Sequence, residues 1–188
     1  MKKIIASQYL SLDGVLEDPV GMESSGLGNW TGPYSRGEKG DAFKHAELFA
    51  CESLLLGRRT YDGFAAVWPT IDDEAGFAKQ INAMPKHVVS TTLKTAEWNN
   101  TTIIDSDVVA RVKALKSEPG GDMLVYGSGM LLHTLMRAGL VDRYNLMIYP
   151  TVLGRGIRLF PDDWKEQLTL DECTEFGSGI VSLRYSAC

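Results

Sequence analysis

The chain lacks any apolar stretch near the roughly 20 residues that a bilayer-spanning helix needs. Its start, Met1-Lys-Lys-Ile-Ile-Ala-Ser-Gln, is interrupted by polar Ser7 and Gln8 before a secretory signal could form, so the cytoplasm is the expected compartment. Cysteine is scarce. Cys51, Cys173 and Cys188 are widely spaced with no C-x-x-C, which argues against a disulfide framework or a zinc ribbon. No run of Lys or Arg forms a basic stripe and the net charge is −5, so neither nucleic acid nor a membrane surface is an expected partner. HExxH, G-x-S-x-G and metal-spaced His/Cys clusters are missing, and no glycine loop ends in Gly-Lys-Ser/Thr. These absences set aside metallohydrolase, serine-hydrolase and P-loop chemistry, and no metal is expected.

What remains is ordinary globular composition, 44% hydrophobic and 23% charged, in 188 residues that suit one domain over 1–188. Residues 2–11 read as a strand buried on both faces, broken by the Leu12-Asp13-Gly14 turn. A long Gly-, Pro- and Ser-rich loop spans 17–40, a length usually reserved for functional segments. Ala42, Ala46, Phe49 and Ala50 fall at helical spacing and predict a helix over 41–51 with Asp41 as its N-cap. Further strands are expected at 53–56, 87–90, 101–104, 122–126 and 143–149, and helices at 58–67, 73–83, 106–116 and 130–138. Residues 168–186 read as a hairpin around Gly177-Ser-Gly179. Strands alternating with helices imply an α/β fold with a mainly parallel central sheet, closed by that antiparallel hairpin.

Three segments offer phosphate chemistry. Met123 to Leu132 reads strand, Gly127-Ser128-Gly129, helix, a pattern that brings backbone N–H groups and a helix N-terminus to one point. It is not a Rossmann fingerprint, because Leu132 stands at the third glycine position and no acid follows about twenty residues on. Gly57-Arg58-Arg59-Thr60 opens a second helix with two guanidinium groups and a hydroxyl. Ser90-Thr91-Thr92 ends a third strand. Each alone also reads as an ordinary turn or solvated surface. Together they fit one extended anion across the carboxyl edge of a sheet.

The ordered set Ser11-Leu-Asp-Gly14, Leu-Gly-Arg-Arg-Thr-Tyr (56–61), Val-Val-Ser-Thr-Thr-Leu (88–93), Tyr-Gly-Ser-Gly (126–129) and Pro-Thr-Val-Leu-Gly-Arg-Gly-Ile-Arg-Leu-Phe (150–160) resembles the dihydrofolate-reductase-like superfamily. The nearer branch is the one related to the C-terminal reductase domain of the bifunctional riboflavin-biosynthesis deaminase-reductase. The resemblance implies a three-layer α/β/α fold, NADPH as hydride donor and a pterin-, folate- or ribosylaminopyrimidine-like substrate. It also implies a homodimer. Carried over by position, Gly57, Arg58, Arg59 and Thr60 are the expected diphosphate and adenosine contacts, and Ser90 and Thr91 the shelf for the 2′-phosphate. Tyr126, Gly127, Ser128, Gly129 and Met130 form the expected glycine loop, where Ser128 replaces one of two adjacent glycines. Ser7, Asp13 and Gly14 would flank the nicotinamide. Asp41 falls where dihydrofolate reductases carry a helix-borne acid, the alternative being the plain N-cap. Trp30, His45 and Phe49 are candidates for the substrate wall, though core packing explains such residues equally. A nucleotide-binding module without turnover is the rival reading.

Overall fold

A computed structural model describes residues 1–188. One eight-stranded sheet runs through the molecule in the order β4-β3-β2-β5-β1-β6-β8-β7. Its strands are β1 (Ile4–Ser11), β2 (Cys51–Gly57), β3 (Lys86–Val89), β4 (Thr101–Ile104), β5 (Asp122–Tyr126), β6 (Arg143–Tyr149), β7 (Leu168–Glu175) and β8 (Val181–Ala187). β1 to β6 pair in parallel, while β8 runs antiparallel to β6 and β7 closes the sheet as an antiparallel edge. The mainly parallel α/β architecture with its C-terminal hairpin is therefore the one the alternation of elements predicts.

The helices are α1 (Gly37–Phe49), α2 (Arg58–Val67), α3 (Phe77–Ala83), α4 (Val108–Ser117) and α5 (Gly129–Arg137), with a 3₁₀ turn at Trp68–Thr70. Alternate residues of the central strands serve opposite layers, as a pleated strand requires. Ile4, Ala6, Met123 and Val125 pack with Val112 of α4 and Leu132 and Leu135 of α5. Ile5, Leu54, Leu56, Leu124 and Tyr126 pack with Leu48 of α1, Tyr61 of α2 and Ile81 of α3. A third, smaller cluster joins Trp30, Met147, Tyr149, Phe176 and Ile180 beneath the loop before α1.

α1 departs from the expected helix in both start and face. It begins at Gly37 after Arg36, so Asp41 lies inside it and is not its N-cap. Ala42, Ala46, Phe49 and Ala50 are exposed, and the buried face is Gly40, Lys44, Glu47 and Leu48. The apolar periodicity misled because that buried face is mostly polar, its charges being partnered within the layer.

Lys86 is a second buried charge, with no exposed surface. Its ammonium donates to the carbonyls of Asn82 (2.8 Å), Met84 (2.7 Å) and Asn99 (3.1 Å), and lies 4.4 Å from the centre of the Trp98 ring. It satisfies carbonyls left free by the end of α3 and anchors β3 there.

Candidate functional site

β2 and β5 are neighbours in the sheet, yet the helices that follow them leave on opposite faces. α2 joins the Tyr61 layer and α5 the Leu132 layer. A crevice must open outside the carboxyl ends of two such strands, with a helix N-terminus from each side. A cleft of 580 Å³ lies there, bordered by Gly57, Arg58, Arg59 and Thr60, by Ser90, Thr91 and Thr92, by Ser128, Gly129 and Met130, and by Leu16, Glu17, Glu23 and Ile157. All three expected phosphate-binding segments meet at it.

Its floor is a hydrogen-bonded knot between the two turns. The Gly57 N–H donates to Ser128 Oγ at 2.8 Å, and that hydroxyl donates to the Tyr126 carbonyl at 2.8 Å. The Ser128 N–H donates to Thr60 Oγ1 at 3.0 Å. Gly127 is required there twice over. Its φ is +50°, and a Cβ would come within 2.8 Å of Thr60 Oγ1. Ser128 adopts the left-handed region as well, with φ +59°.

The cations at the rim are already partnered. Arg58 Nε donates to Asp62 at 2.7 Å, and Arg59 Nη1 stands 3.5 Å from Glu17 Oε1. The Thr60 hydroxyl donates to Glu23 Oε1 at 2.8 Å. Burial pushes the Glu23 carboxyl up despite that bond. Ser90 is buried and accepts the N–H of Leu93 at 3.0 Å, so its hydroxyl shapes the turn, while Thr91 and Thr92 are exposed beside the cleft. Met130 is exposed at the rim.

Several expected site residues sit elsewhere. The Tyr126 side chain points into the α1 layer, and Ser7 is buried beneath that helix. Asp13 ties two segments together: it accepts Ser11 Oγ (2.6 Å) and the N–H groups of Leu153 (3.1 Å) and Gly154 (2.8 Å). Those three donors hold its carboxyl down at about 2. Gly14, at φ +81°, turns the chain and accepts the Leu159 N–H at 2.9 Å. Asp41 is exposed and paired with Arg36 at 2.6 Å. Trp30 is buried in the third cluster and donates to the Glu17 carbonyl at 2.9 Å. His45 stacks on Phe49 at 4.1 Å and reaches the Ala75 carbonyl, and neither ring borders the cleft. Phe49 borders a separate 430 Å³ hollow at the amino end of β2, with Cys51, Glu52 and Met84.

The residue pattern did not point to the polar cluster under α1. Lys44 and Glu47 form a buried ion pair. Lys44 Nζ donates to Ser7 Oγ at 2.6 Å, Ser7 Oγ donates to Glu47 Oε2 at 2.7 Å, and Asn145 Nδ2 donates to Glu47 Oε1 at 2.7 Å. The ammonium lies 4.4 Å from the Tyr126 ring centre and 5.4 Å from that of Tyr9. Burial pulls the Lys44 ammonium down, and Glu47 pulls it back up. Asn145 Oδ1 is buried without a partner. The cluster adjoins the cleft through Tyr126, whose ring packs under α1 and whose carbonyl holds Ser128. The only sequence signal for it was the i, i+3 spacing of Lys44 and Glu47, which ordinary exposed helices share.

The chain matches the RibD C-terminal domain family over residues 2–182. It belongs to that family. The uncharacterized protein YyaP of Bacillus subtilis is 32% identical over 138 residues, covering 71% of this chain and 73% of the relative. Among solved structures, a protein of Shewanella sp. PV-4 provisionally assigned to riboflavin biosynthesis superposes with a TM-score of 0.74 at 17% identity, over 99% of both chains. A pyrimidine reductase-like protein of Corynebacterium diphtheriae gives 0.66 at 14% identity, over 100% of this chain and 92% of its own. Both share the fold of this chain over its whole length. No helix of the chain is long and apolar enough to cross a membrane.

Proposed function

We propose that this RibD-type domain is a reductase that binds NADPH in the cleft between α2 and α5. Its substrate is a small planar N-heterocycle, pterin- or folate-like or the ribosylaminopyrimidine of riboflavin synthesis. The observation that carries this reading is the convergence of two helix N-termini, from opposite faces of the sheet, on the knot of Gly57, Thr60 and Ser128. A dinucleotide's diphosphate finds there what it needs: backbone N–H groups, hydroxyls and two arginines. Arg58, Arg59 and Thr91 face the position of the adenosine phosphate. Bound there, NADPH supplies the hydride.

The chain's own residues supply alignment, dryness and a proton. Lys44 holds that proton at Nζ, against Ser7 Oγ and between the rings of Tyr9 and Tyr126. The proposal keeps residues 1–188 as one domain, working in the cytoplasm as a homodimer paired through the exposed edge of β7. The exposure of Asp41 favours one rival, a nucleotide-binding module without turnover.

Loss of nicotinamide absorbance, followed with a panel of pterins, folates and ribosylaminopyrimidines, separates the two. Oxidation of NADPH with any of them supports the reductase. Binding of NADPH with no oxidation across the panel supports the module.

A further inference from the structure

The first part of the loop before α1, from Glu17 to Ser25, borders the cleft and carries an acid into it. Its first turn is folded around Asp18, whose carboxylate accepts the N–H groups of Glu23 (2.8 Å) and Ser25 (3.1 Å) and the Ser25 hydroxyl (2.7 Å). Asp18 is itself buried with φ +51°. The turn rests directly on α2, since a Cβ at Gly63 would meet Met22 Cβ at 3.1 Å. This small folded unit delivers the Glu23 carboxylate to the Thr60 hydroxyl, the donor that also braces the Ser128 N–H.

We propose that Glu23 is an internal competitor for the phosphate seat of the cleft, a carboxylate that an incoming anionic ligand must displace and whose departure releases the turn built on Asp18. The inference rests on the phosphate-binding reading of the cleft and goes beyond it by naming the residue that sets the affinity. Three observations support it. The Glu23 oxygen holds the Thr60 hydroxyl that a diphosphate oxygen would otherwise take. The carboxylate is held there at a cost, because burial and the neighbouring Asp18 and Glu17 carboxylates oppose its charge, while only the Thr60 hydroxyl and Arg59 favour it. Glu17, on the same loop, occupies Arg59 in the same way. A second anion in this space meets like charge until the loop's own carboxylate moves out.

The test measures dissociation constants for NADPH and, separately, for inorganic pyrophosphate by calorimetry, on the wild-type chain, Glu23→Ala and Glu23→Gln. Circular dichroism establishes that each variant is folded, and the isosteric glutamine keeps a partner for Thr60. Amide exchange is followed over residues 18–27. We expect both variants to bind tighter, by on the order of ten-fold for the alanine, and NADPH to speed exchange over 18–27 in the wild type. Affinities equal to or weaker than wild type, with the turn protected by ligand, overturn the inference. Tighter pyrophosphate binding in the variants with no NADPH binding in any of them upholds the competitor and removes the dinucleotide reading. Silence with both probes in all three proteins removes both.

Discussion

Gly57 and Ser128 are joined across the ends of two parallel strands by a 2.8 Å hydrogen bond from the Gly57 N–H to Ser128 Oγ. That bond fixes the entrance of α2 relative to the entrance of α5, so the two helix N-termini keep one spacing. It holds only because Ser128 accepts a left-handed backbone that its side chain disfavours.

Ser128→Ala removes the acceptor of Gly57 and keeps the strained Cβ. It is expected to cost about 1–3 kcal/mol in chemical denaturation. Ser128→Gly loses the same bond but relieves the backbone, so it should cost about 1 kcal/mol less than the alanine. The reverse order of the two variants would mean that the left-handed backbone at Ser128 stores no strain, and a cost near zero for both would mean that the hydroxyl does not carry the knot.

Lys44→Met leaves the Glu47 carboxylate buried beneath α1 without its cation, and a loss of about 3–5 kcal/mol is expected. Lys44→Met with Glu47→Leu removes both charges and should regain about 2 kcal/mol of it. A double variant no more stable than the single one would show that Glu47 is not held by Lys44. If Lys44 also holds the reaction's proton, the folded double variant binds NADPH but loses turnover.

That pair marks where sequence reasoning stopped short. The strands announced themselves through apolar runs, because a strand between two helical layers buries most of both its faces. The glycine turns were legible for a similar reason: at Gly127 the Thr60 side chain leaves no room for a Cβ. α1 was different. Its buried face carries Lys44 and Glu47, which cancel each other only once Ser7, Tyr126 and Asn145 arrive from three strands. A periodicity argument counts Ala42 and Ala46 as inward and the charges as outward, and it assigns Asp41 a boundary that Gly37 occupies. Glu23 was illegible for another reason. Its position depends on a loop folded around Asp18, and no local pattern says where such a loop comes to rest.

Lys86 provides a pH test. Burial lowers its folded value from 10.5 to about 8, its three carbonyl partners and the Trp98 ring offsetting part of the cost of the buried ammonium. Between these values the unfolded chain holds the proton that the folded chain has lost, so stability rises with pH over that window. Lys86 should contribute a rise on the order of 2 kcal/mol from pH 8 to 10, opposed above pH 9 by buried Cys51, whose thiol is pushed up to about 12. Above pH 10 it is opposed by Tyr9, Tyr126, Tyr144 and Tyr149, which stay protonated in the fold while ionising in the unfolded chain. Lys86→Met should flatten the pH 8–10 limb. An unchanged slope in that variant would assign the rise to another group.

Arg58→Ala and Arg59→Ala should each weaken NADPH more than NADH, by about 1–3 kcal/mol for a lost charged hydrogen bond. Both guanidinium groups border the cleft beside Thr91, where the 2′-phosphate of the adenosine is expected. Equal losses for the two dinucleotides would mean that the arginines read the diphosphate alone.

The most direct measurement is a calorimetric titration of NADPH into the pure, folded chain, with inorganic pyrophosphate as competitor. A saturable heat with one site per chain, reduced by pyrophosphate, is the predicted result. No heat at millimolar NADPH, or a heat that pyrophosphate leaves untouched, would contradict the assignment of the α2–α5 cleft to a dinucleotide.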